Sequence, residues 1–260
     1  MSRVFITGSS DGLGLAAARD LLSQGHDVVL HARSEARAQV LREQIGAGAP
    51  VVIGDLANGR EVRRIAEQVN AFGAMDAVIH NAGIYVTPER GDTPEGHATV
   101  FAVNTLASFV LTALIQRPQR LIYLSSGLHR DGEGSLTDPD WKERTWQGGK
   151  AYAETKLQVA ALAAALARRW PGVLTGSVDP GWVPTRMGGA GATGDLQKGH
   201  QTQAWLAASR EAANAPSGAY WFHRKEQKPA GEVTDVAFQD RLIEQLAALT
   251  GVTLPNAQPN

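Results

Sequence analysis

Short apolar, β-branched runs alternate with longer helical patterns along most of the chain, and this alternation restricts the fold more than any other feature. The predicted strands cover residues 3–7, 27–32, 50–53, 75–80, 120–124, 173–178 and 219–223. The predicted helices cover residues 12–24, 34–44, 59–72, 94–116, 149–170 and 233–249. Parallel strands that are joined through a helix need right-handed crossovers. The pattern therefore predicts an α/β protein with three layers, in which a doubly wound, mainly parallel sheet of roughly seven strands lies between helices.

The whole chain, residues 1–260, is predicted to form one domain. It contains no internal repeat, no low-complexity tract and no linker-like segment that would divide it, and its length suits one α/β domain. Two stretches, at about 127–149 and 184–215, are polar or glycine-rich and interrupt the alternation. We expect these two stretches to form the loops that contact a substrate.

Charge and composition argue against several classes of partner. The formal net charge of -1 gives no electrostatic reason to expect a nucleic acid or an anionic membrane. The chain has no cysteine and its seven histidines lack metal-site spacing, so we expect neither disulfides nor a metal site. The sequence opens on the strand-like RVFIT rather than on a signal peptide, and its apolar stretches are too short to span a membrane. We therefore expect a cytoplasmic protein.

The segment TGSSDGLG, residues 7–14, joins the first predicted strand to the first helix. Its glycines at positions 8, 12 and 14 let the backbone turn tightly and approach a ligand closely. The helix directs its unpaired N–H groups and its positive dipole end toward that ligand, which favours a pyrophosphate. Such a turn can also be purely structural, but its place in the first βα unit favours nucleotide binding by a Rossmann fold.

The end of the second strand indicates which dinucleotide is bound. An acidic residue about 20 positions after the first glycines usually holds a free ribose 2′-hydroxyl, and Ala32 occupies that place. Arg33 follows, and its planar guanidinium suits a 2′-phosphate. The alternative is that Arg33 is only a solvated side chain at a helix start. The sequence therefore favours NADP(H) over NAD(H) as the cofactor.

Further motifs follow the glycine-rich turn, each near the end of a predicted strand or on the adjoining helix. They are Asp55-Leu56, Asn81-Ala82-Gly83, Asn104, Ser126, Tyr152 with Lys156, and Asp179-Pro180-Gly181 with Val183 and Thr185. In this order, after TGSSDGLG, they resemble the short-chain dehydrogenase/reductase family in its single-domain branch. The stretches LSSGLH and HAR are most similar to carbonyl reductases and retinol-dehydrogenase-like members.

The resemblance implies an NAD(P)-dependent enzyme and a role for each matching residue. The positions that match the family's catalytic tetrad are Asn104, Ser126, Tyr152 and Lys156. The positions that match its cofactor contacts are Gly8, Ser10, Gly12, Leu13, Gly14, Arg33, Asp55, Leu56, Asn81, Ala82, Gly83, Tyr152, Lys156, Pro180, Gly181, Val183 and Thr185. In the family the lysine also holds the nicotinamide ribose, the serine polarises the substrate oxygen, and the asparagine positions a water.

Tyr152 and Lys156 lie one helical turn apart, so they face the same side of the predicted helix. A phenol, with an ordinary pKa of about 10, can protonate a carbonyl oxygen while hydride reaches the carbonyl carbon. The lysine charge would favour the phenolate. Lowering the phenol pKa by about three units corresponds to roughly 4 kcal/mol, which the lysine and the cofactor charge would provide together. Taken alone, such a pair is more often found on a helix surface, but the upstream glycine turn favours catalysis.

Other polar positions near the motifs have competing interpretations. Asn104 could be a helix-interior side chain that is bonded to neighbouring backbone. One of the adjacent serines, Ser125 or Ser126, could only satisfy backbone groups, and the family pattern favours Ser126 as the catalytic one. We interpret His129 as a loop or substrate-pocket residue and His80 as structural.

The spacing between Ser126 and Tyr152 departs from the family pattern, because their 26-position separation is longer than usual. The inserted stretch is polar and contains Trp141 and Trp146. These tryptophans could line the cleft as contacts for a bulky substrate, or they could anchor a surface excursion. The two long helices form the dimer surface in many relatives. An insert beside the second of them could block that surface, so both a homo-oligomer and a monomer stay open.

The leading hypothesis is an NADP(H)-dependent oxidoreductase that interconverts a carbonyl and an alcohol. We expect a small, largely apolar substrate, because the candidate loops carry no evident charged anchor. The alternative is a non-catalytic NADP(H)-binding sensor or regulator, which would not need the tetrad. A nucleotide-sugar lyase or epimerase is a further alternative, but such relatives usually have a longer chain and a different glycine spacing.

Overall fold

The computed structural model describes residues 1–46, 48–85 and 88–256. In these residues eight strands form one sheet. The strands are β1 (Arg3–Ile6), β2 (Asp27–Ala32), β3 (Val51–Ile53), β4 (Ala77–His80), β5 (Arg120–Leu124), β6 (Leu174–Asp179), β7 (Ala219–Phe222) and β8 (Lys225–Gln227). Their spatial order is β3-β2-β1-β4-β5-β6-β7-β8, and the strands from β1 to β7 all run parallel to one another. The strand order reverses next to β1, where the carboxyl edge of such a sheet binds ligands.

Helices cover both faces of the sheet, as the alternation predicted. They are α1 (Gly12–Ser23), α2 (Glu35–Ile45), α3 (Gly59–Ala71), α4 (Thr99–Phe101), α5 (Ala107–Leu114), α6 (Gly148–Arg169), α7 (Leu196–Ala208), α8 (Gly231–Thr234) and α9 (Val236–Thr250). One apolar core joins the sheet to α1, α2 and α7, and a second core joins it to α3, α5, α6 and α9. The predicted three-layer α/β architecture is confirmed.

The sequence analysis missed the eighth strand. His223 and Arg224 have φ values of 49° and 61°, and they form the two-residue turn that pairs β8 antiparallel to β7. Two consecutive positive φ values match the right-handed twist of a tight hairpin, although these residue types do not favour them. The strand itself is short, polar and exposed, so it carries no hydrophobic alternation that could have indicated it.

Three helices differ from their predicted extents. The helix predicted over 94–116 starts at Thr99 and runs through α4, a π-helical segment at Ala102–Leu106, and α5. The stretch 184–215, which was expected to be a loop, contains the buried helix α7. Asp195 caps the N-terminus of this helix. The last predicted helix is divided into α8 and α9, and Asp235 caps the second of them.

The helix α6 is almost completely enclosed by its own chain. Every residue in the range 151–163 is buried, and α6 packs against β5, β6, the π-helical segment, α8 and α9. Helix α6 is one of the two helices that form the dimer surface in many relatives. The contacts that α6 makes are all within one chain, so the oligomeric state stays a prediction. Among the described residues, no helix combines the length and the apolar character that a membrane crossing requires.

Candidate active site

The glycine-rich turn after β1 has a backbone that only glycine fits. Gly8 and Gly12 have φ values of 63° and 52°. A Cβ on Gly14 would lie 2.5 Å from the carbonyl oxygen of Gly8 and 2.4 Å from Nδ2 of Asn81. Both distances are far below van der Waals contact, so the first turn of α1 packs tightly against β1 and β4. This close approach is what a backbone cradle for a pyrophosphate requires.

The start of α1 gives the turn its polarity. Asp11 caps the helix and accepts a hydrogen bond from the amide of Gly12 at 2.7 Å. Ser10 is half-buried in the turn, and Leu13 packs against the core shared with α7. The first amides of a helix lack intrahelical partners and carry a partial positive charge, so this terminus suits the pyrophosphate of a dinucleotide.

A histidine to which the sequence analysis assigned no role is hydrogen-bonded to the glycine-rich turn. Nδ1 of His31 accepts a hydrogen bond from the amide of Gly8 at 2.9 Å. The other ring nitrogen therefore carries the proton and donates to the carbonyl of Gly54, also at 2.9 Å. Burial lowers the pKa of His31, which keeps the ring neutral in this role. The HAR stretch already pointed to this position, but sequence alone could not show its contact with the turn.

The carboxyl ends of β2 and β3 present the residues that were predicted to hold the adenosine half. Arg33 is exposed beside Ser34, the cap of α2, and within the described chain it makes no hydrogen bond or ion pair. Asp55 stabilises its own loop by accepting from the amide of Ala57 at 2.9 Å. Leu56 is buried next to it. These residues therefore fit the predicted cofactor site, with the Arg33 guanidinium free to reach an anion.

The turn after β4 connects the glycine cradle to the catalytic side chains. The amide of Ala82 donates to Oγ1 of Thr7 at 3.0 Å, and a Cβ on Gly8 would lie 3.0 Å from Cα of Ala82. On the other side, a Cβ on Gly83 would lie 3.3 Å from both Oδ1 of Asn104 and Nζ of Lys156. The 81–83 turn is thus one wall shared by the two halves of the site.

Asn104 lies in the π-helical segment and is 2% exposed. Its Oδ1 accepts from the amide of Ile84 at 2.8 Å, and its Nδ2 donates to the carbonyl of Ile84 and to Oγ1 of Thr155. A π-helical turn is rare and is often found at functional sites, where it re-aims one side chain. The amide therefore ties the 81–85 loop to α6, and Thr155 is a partner that sequence reasoning missed.

Ser126, Tyr152 and Lys156 meet between β5 and α6. The Ser126 hydroxyl lies close enough to the Tyr152 phenol to favour its ionised form. Nζ of Lys156 lies 5.5 Å from the centre of the Tyr152 ring and donates to the carbonyl of Leu124 at 2.8 Å. The neighbouring Ser125 donates to the carbonyl of Lys156, so it satisfies backbone rather than facing the cleft. The structure thus brings the three predicted catalytic side chains together.

Burial determines the ionisation of Tyr152 and Lys156. Burial raises the pKa of the Tyr152 phenol above its ordinary value, and the nearby Ser126 hydroxyl only partly opposes this shift. Burial also lowers the pKa of Lys156 to about 8. In the chain without a cofactor, burial thus shifts the phenol pKa upward, opposite to the lowering that the lysine and the cofactor charge together were expected to provide, so that lowering stays a prediction for the bound state. The phenol is protonated at neutral pH.

The loop after β6 lies against the glycine-rich turn. Gly181 has a φ of 78°, and its amide donates to Oδ1 of Asp179 at 2.9 Å, which shapes the turn around Pro180. Val183 is buried, and Cγ2 of Thr185 would lie 3.3 Å from a Cβ on Gly12. The segment predicted to contact nicotinamide therefore adjoins the cradle.

The two histidines near the site are structural. His129 is completely buried, with Nδ1 donating to the carbonyl of Ser126 at 2.8 Å and Nε2 accepting from the amide of Ala230 at 3.0 Å. It fixes the loop that carries Ser126 and does not line a pocket. His80 stacks on Tyr123 in the core, and burial lowers its pKa to about 3.

Large apolar side chains are exposed around the carboxyl edge of the sheet. Tyr85 follows β4, Leu128 follows β5, and Trp182 and Met187 follow β6; each is at least 39% exposed. The ring of Tyr85 meets that of Tyr152 edge-on, with centroids 4.7 Å apart. Because apolar surface on adjacent loops marks a binding region, the edge suits an apolar ligand.

Comparisons with known proteins agree with this geometry. A family model described as short chain dehydrogenase matches residues 2–128. Short-chain dehydrogenase chyC of Penicillium rubens is 38% identical over 259 residues, covering 98% of this chain and 100% of that protein. Retinol dehydrogenase 13 of Homo sapiens is 28% identical over 287 residues, covering 98% and 86%. The crystal structure of a short chain dehydrogenase from Burkholderia cenocepacia in complex with NADP has a TM-score of 0.68 at 23% identity, covering 85% and 95%.

Proposed function

Because this chain belongs to the short-chain dehydrogenase/reductase family, we propose that it uses NADP(H) to interconvert a carbonyl and an alcohol, with Tyr152 as the proton donor. Membership of this family means that the chain is an NAD(P)-dependent oxidoreductase that acts on alcohol and carbonyl groups. The phosphorylated cofactor, the proton donor and the kind of substrate are the parts that we propose. The observation that carries the proton-donor assignment is the position of Nζ of Lys156, which borders both the Tyr152 ring and the 81–83 wall of the glycine cradle.

The residues present fit a dinucleotide along this path. The pyrophosphate would lie on the glycine turn, the adenosine near Asp55 and Leu56, and the nicotinamide half near Thr185 and Lys156. When bound, the nicotinamide supplies the hydride for reduction or accepts it in oxidation. The protein supplies the proton, the hydrogen bonds to the substrate oxygen and the shape of the cleft.

The proton transfer follows from the position of Tyr152 beside Ser126. A substrate carbonyl oxygen that reaches the Ser126 hydroxyl also reaches the neighbouring phenol. The phenol gives its proton to the oxygen as the carbon becomes an alcohol carbon. The remaining phenolate lies near the ammonium of Lys156, whose charge stabilises it. In the oxidative direction the same phenolate takes the proton from the alcohol.

The preference for NADP(H) rests on Arg33. Its exposed guanidinium, at the end of β2 and without a protein partner in the described chain, suits the 2′-phosphate, and no carboxylate occupies position 32 to hold a free 2′-hydroxyl. The substrate class rests on the exposed apolar side chains at the carboxyl edge. They favour a bulky apolar ketone or aldehyde over a small polar one.

The proton-donor assignment is tested with Tyr152→Phe. Purified protein is screened for NADPH oxidation with ketones, aldehydes and quinones, and the variant is compared on a substrate that the parent reduces. We expect turnover to fall by at least about a hundredfold while NADPH binding changes less than a few-fold. The matched control is Tyr123→Phe, which removes a buried hydroxyl bonded to Thr112 in the core. If Tyr152→Phe retains turnover like this control, the assignment is wrong.

The cofactor assignment is tested with Arg33→Asp. We expect the ratio of kcat/KM for NADPH over NADH to fall by about tenfold or more, because the substitution removes a phosphate partner and adds repulsion. Arg210→Asp changes the net charge equally at another exposed arginine and should leave the ratio unchanged. An unchanged ratio in Arg33→Asp would refute the 2′-phosphate contact.

A further inference from the structure

The helix that carries Tyr152 also carries a buried charge that the proposed chemistry does not use. Glu154 is 2% exposed, although it lies only two residues from the proton donor. A carboxylate in such a place is costly unless hydrogen bonds and an opposite charge compensate it. The compensation comes from the insert between Ser126 and Tyr152, so Glu154 connects the insert to the catalytic helix.

Three hydrogen bonds from the insert converge on Glu154. Arg144 binds it with both terminal nitrogens, at 2.8 and 3.0 Å, and Nε1 of Trp141 donates to it at 3.1 Å. The guanidinium of Arg144 also lies 3.8 Å from the centre of the Trp141 ring. A bidentate arginine that stacks on an indole fixes the ring in both position and orientation. We call Trp141, Arg144 and Glu154 the clamp.

The backbone of the clamp is held in an unfavourable conformation. Trp141 has a φ of 54°, a left-handed value that a bulky side chain rarely adopts. Its surroundings impose that value: Asp138 accepts three backbone amides, from residues 142 to 144, and Asp140 accepts the amide of Ala98 at 2.9 Å. Backbone strain that is maintained in this way concentrates at functional sites.

The strained conformation places the indole of Trp141 next to Tyr152, the proposed proton donor. Trp141 is 5% exposed and belongs to a small buried apolar cluster with Val100, Ala151 and Tyr152. Trp146 packs on Trp141 edge-on, with ring centroids 5.8 Å apart. The tryptophans of the insert could either line the cleft or anchor a surface excursion. The burial of Trp141 favours the second alternative, and the anchor lies beside the site.

We propose that Trp141, held by Glu154 and Arg144, is a positioning residue that fixes the Tyr152 phenol for proton transfer. This inference rests on the proposed function of Tyr152 and deepens it. Proton transfer requires the phenol oxygen within hydrogen-bond distance of the substrate oxygen, and a displacement of about 1 Å can cost a hundredfold in rate. The clamp limits such displacement from the side of the ring that the insert covers.

The other groups around the phenol set its ionisation. Lys156 lies beneath the ring, Tyr85 faces it from the loop after β4, and Asp179 acts on it from the end of β6. Glu154 contributes through the insert rather than by facing the phenol. Loss of the indole would admit water to the cluster, and because burial raises the phenol pKa, that pKa would then fall.

The test compares Trp141→Leu with Trp170→Leu. Trp170 is a matched control, because it is 2% exposed at the far end of α6 and its indole N–H also donates one hydrogen bond, to Pro255. The chain has four tyrosines, so carbon-13 labelling of the single ring carbon that bears the hydroxyl gives four signals, and Tyr152→Phe identifies the signal of Tyr152. We expect this signal to titrate at lower pH in Trp141→Leu than in the wild type, and to be unchanged in Trp170→Leu.

Turnover gives the second readout. We expect kcat to fall by about tenfold or more in Trp141→Leu with the Kd for NADPH unchanged, whereas Trp170→Leu loses stability and keeps kcat. A wild type that reduces no carbonyl with NADPH would overturn the proposed function, and the titration would still judge the positioning. If Trp141→Leu matches Trp170→Leu in both readouts, the positioning role is wrong. If Trp141→Leu does not fold, the same two readouts are compared between Trp141→Phe and Trp170→Phe, and the same outcomes decide on the positioning role.

Discussion

Replacing Lys156 by methionine should abolish function without destabilising the fold. Burial lowers the pKa of Lys156 from 10.5 to about 8, so at pH 7 the folded protein carries a buried ammonium at a cost. The unfolded chain binds the proton more tightly, and the difference corresponds to about 3 kcal/mol at pH 7. Methionine fills a similar volume without the charge. The substitution leaves the carbonyl of Leu124 without its donor, which costs about 1–3 kcal/mol.

The sum predicts a variant that is as stable as the wild type or more stable, by up to about 2 kcal/mol at pH 7. The pH dependence has a fixed sign. Since the folded pKa is below the unfolded one, the cost of charging is full below about pH 8 and declines as pH rises toward 10.5. The stability difference between Lys156→Met and the wild type should therefore shrink by about 2 kcal/mol between pH 7 and about pH 9.5.

Urea unfolding, followed by tryptophan fluorescence at both pH values, measures this difference. Lys150→Met is the matched control on the same helix, because Lys150 is only half-buried and pairs with Glu133 at the surface; it should change stability by less than about 0.5 kcal/mol at either pH. NADPH binding and turnover are measured on the same preparations and should be lost only in Lys156→Met. A variant that is several kcal/mol less stable than the wild type at both pH values would refute the reasoning.

Further predictions concern the cradle, the core and the π-helical segment. Gly14→Ala should be less stable than Gly149→Ala by about 1–3 kcal/mol in urea unfolding, because only the first introduces a clash; equal stabilities would contradict the packing described. The depressed pKa of His80 means that the unfolded chain binds its proton first, so between pH 7 and pH 5 the wild type should lose about 2 kcal/mol more stability than His80→Gln, measured by urea unfolding. Thr155→Val removes the Oγ1 acceptor of Asn104 and should cost about 1–2 kcal/mol, measured by urea unfolding; a cost of zero would mean that this bond contributes nothing.

The parts of the fold and site that the sequence predicted depend on local signals. The hydrophobic alternation gave the layers and the strands from β1 to β7, because each buried strand and each amphipathic helix carries its own period. The order of motifs brought Ser126, Tyr152 and Lys156 to one edge, since the carboxyl ends of neighbouring parallel strands meet there. The roles of these residues in catalysis stay predictions.

The parts that the sequence did not predict depend on contacts between distant segments. His31 supports Gly8 across 23 positions, and nothing in its own neighbourhood indicates that partner. The strained backbone at Trp141 results from packing, because tryptophan has no preference for a left-handed conformation. The burial that raises the phenol pKa in the chain without cofactor was missed for the same reason, because the charge of Lys156 is visible in the sequence and the desolvation of Tyr152 is not.

The enclosure of α6 determines what its backbone amides can report. A helix whose residues 151–163 are all buried exchanges its amide hydrogens with solvent mainly when the whole protein opens. The slowest deuterium uptake in the chain should therefore come from α6 and follow the free energy of global unfolding. Slower uptake that a dinucleotide causes there would measure overall stabilisation, whereas slower uptake at the glycine turn would mark the ligand's footprint.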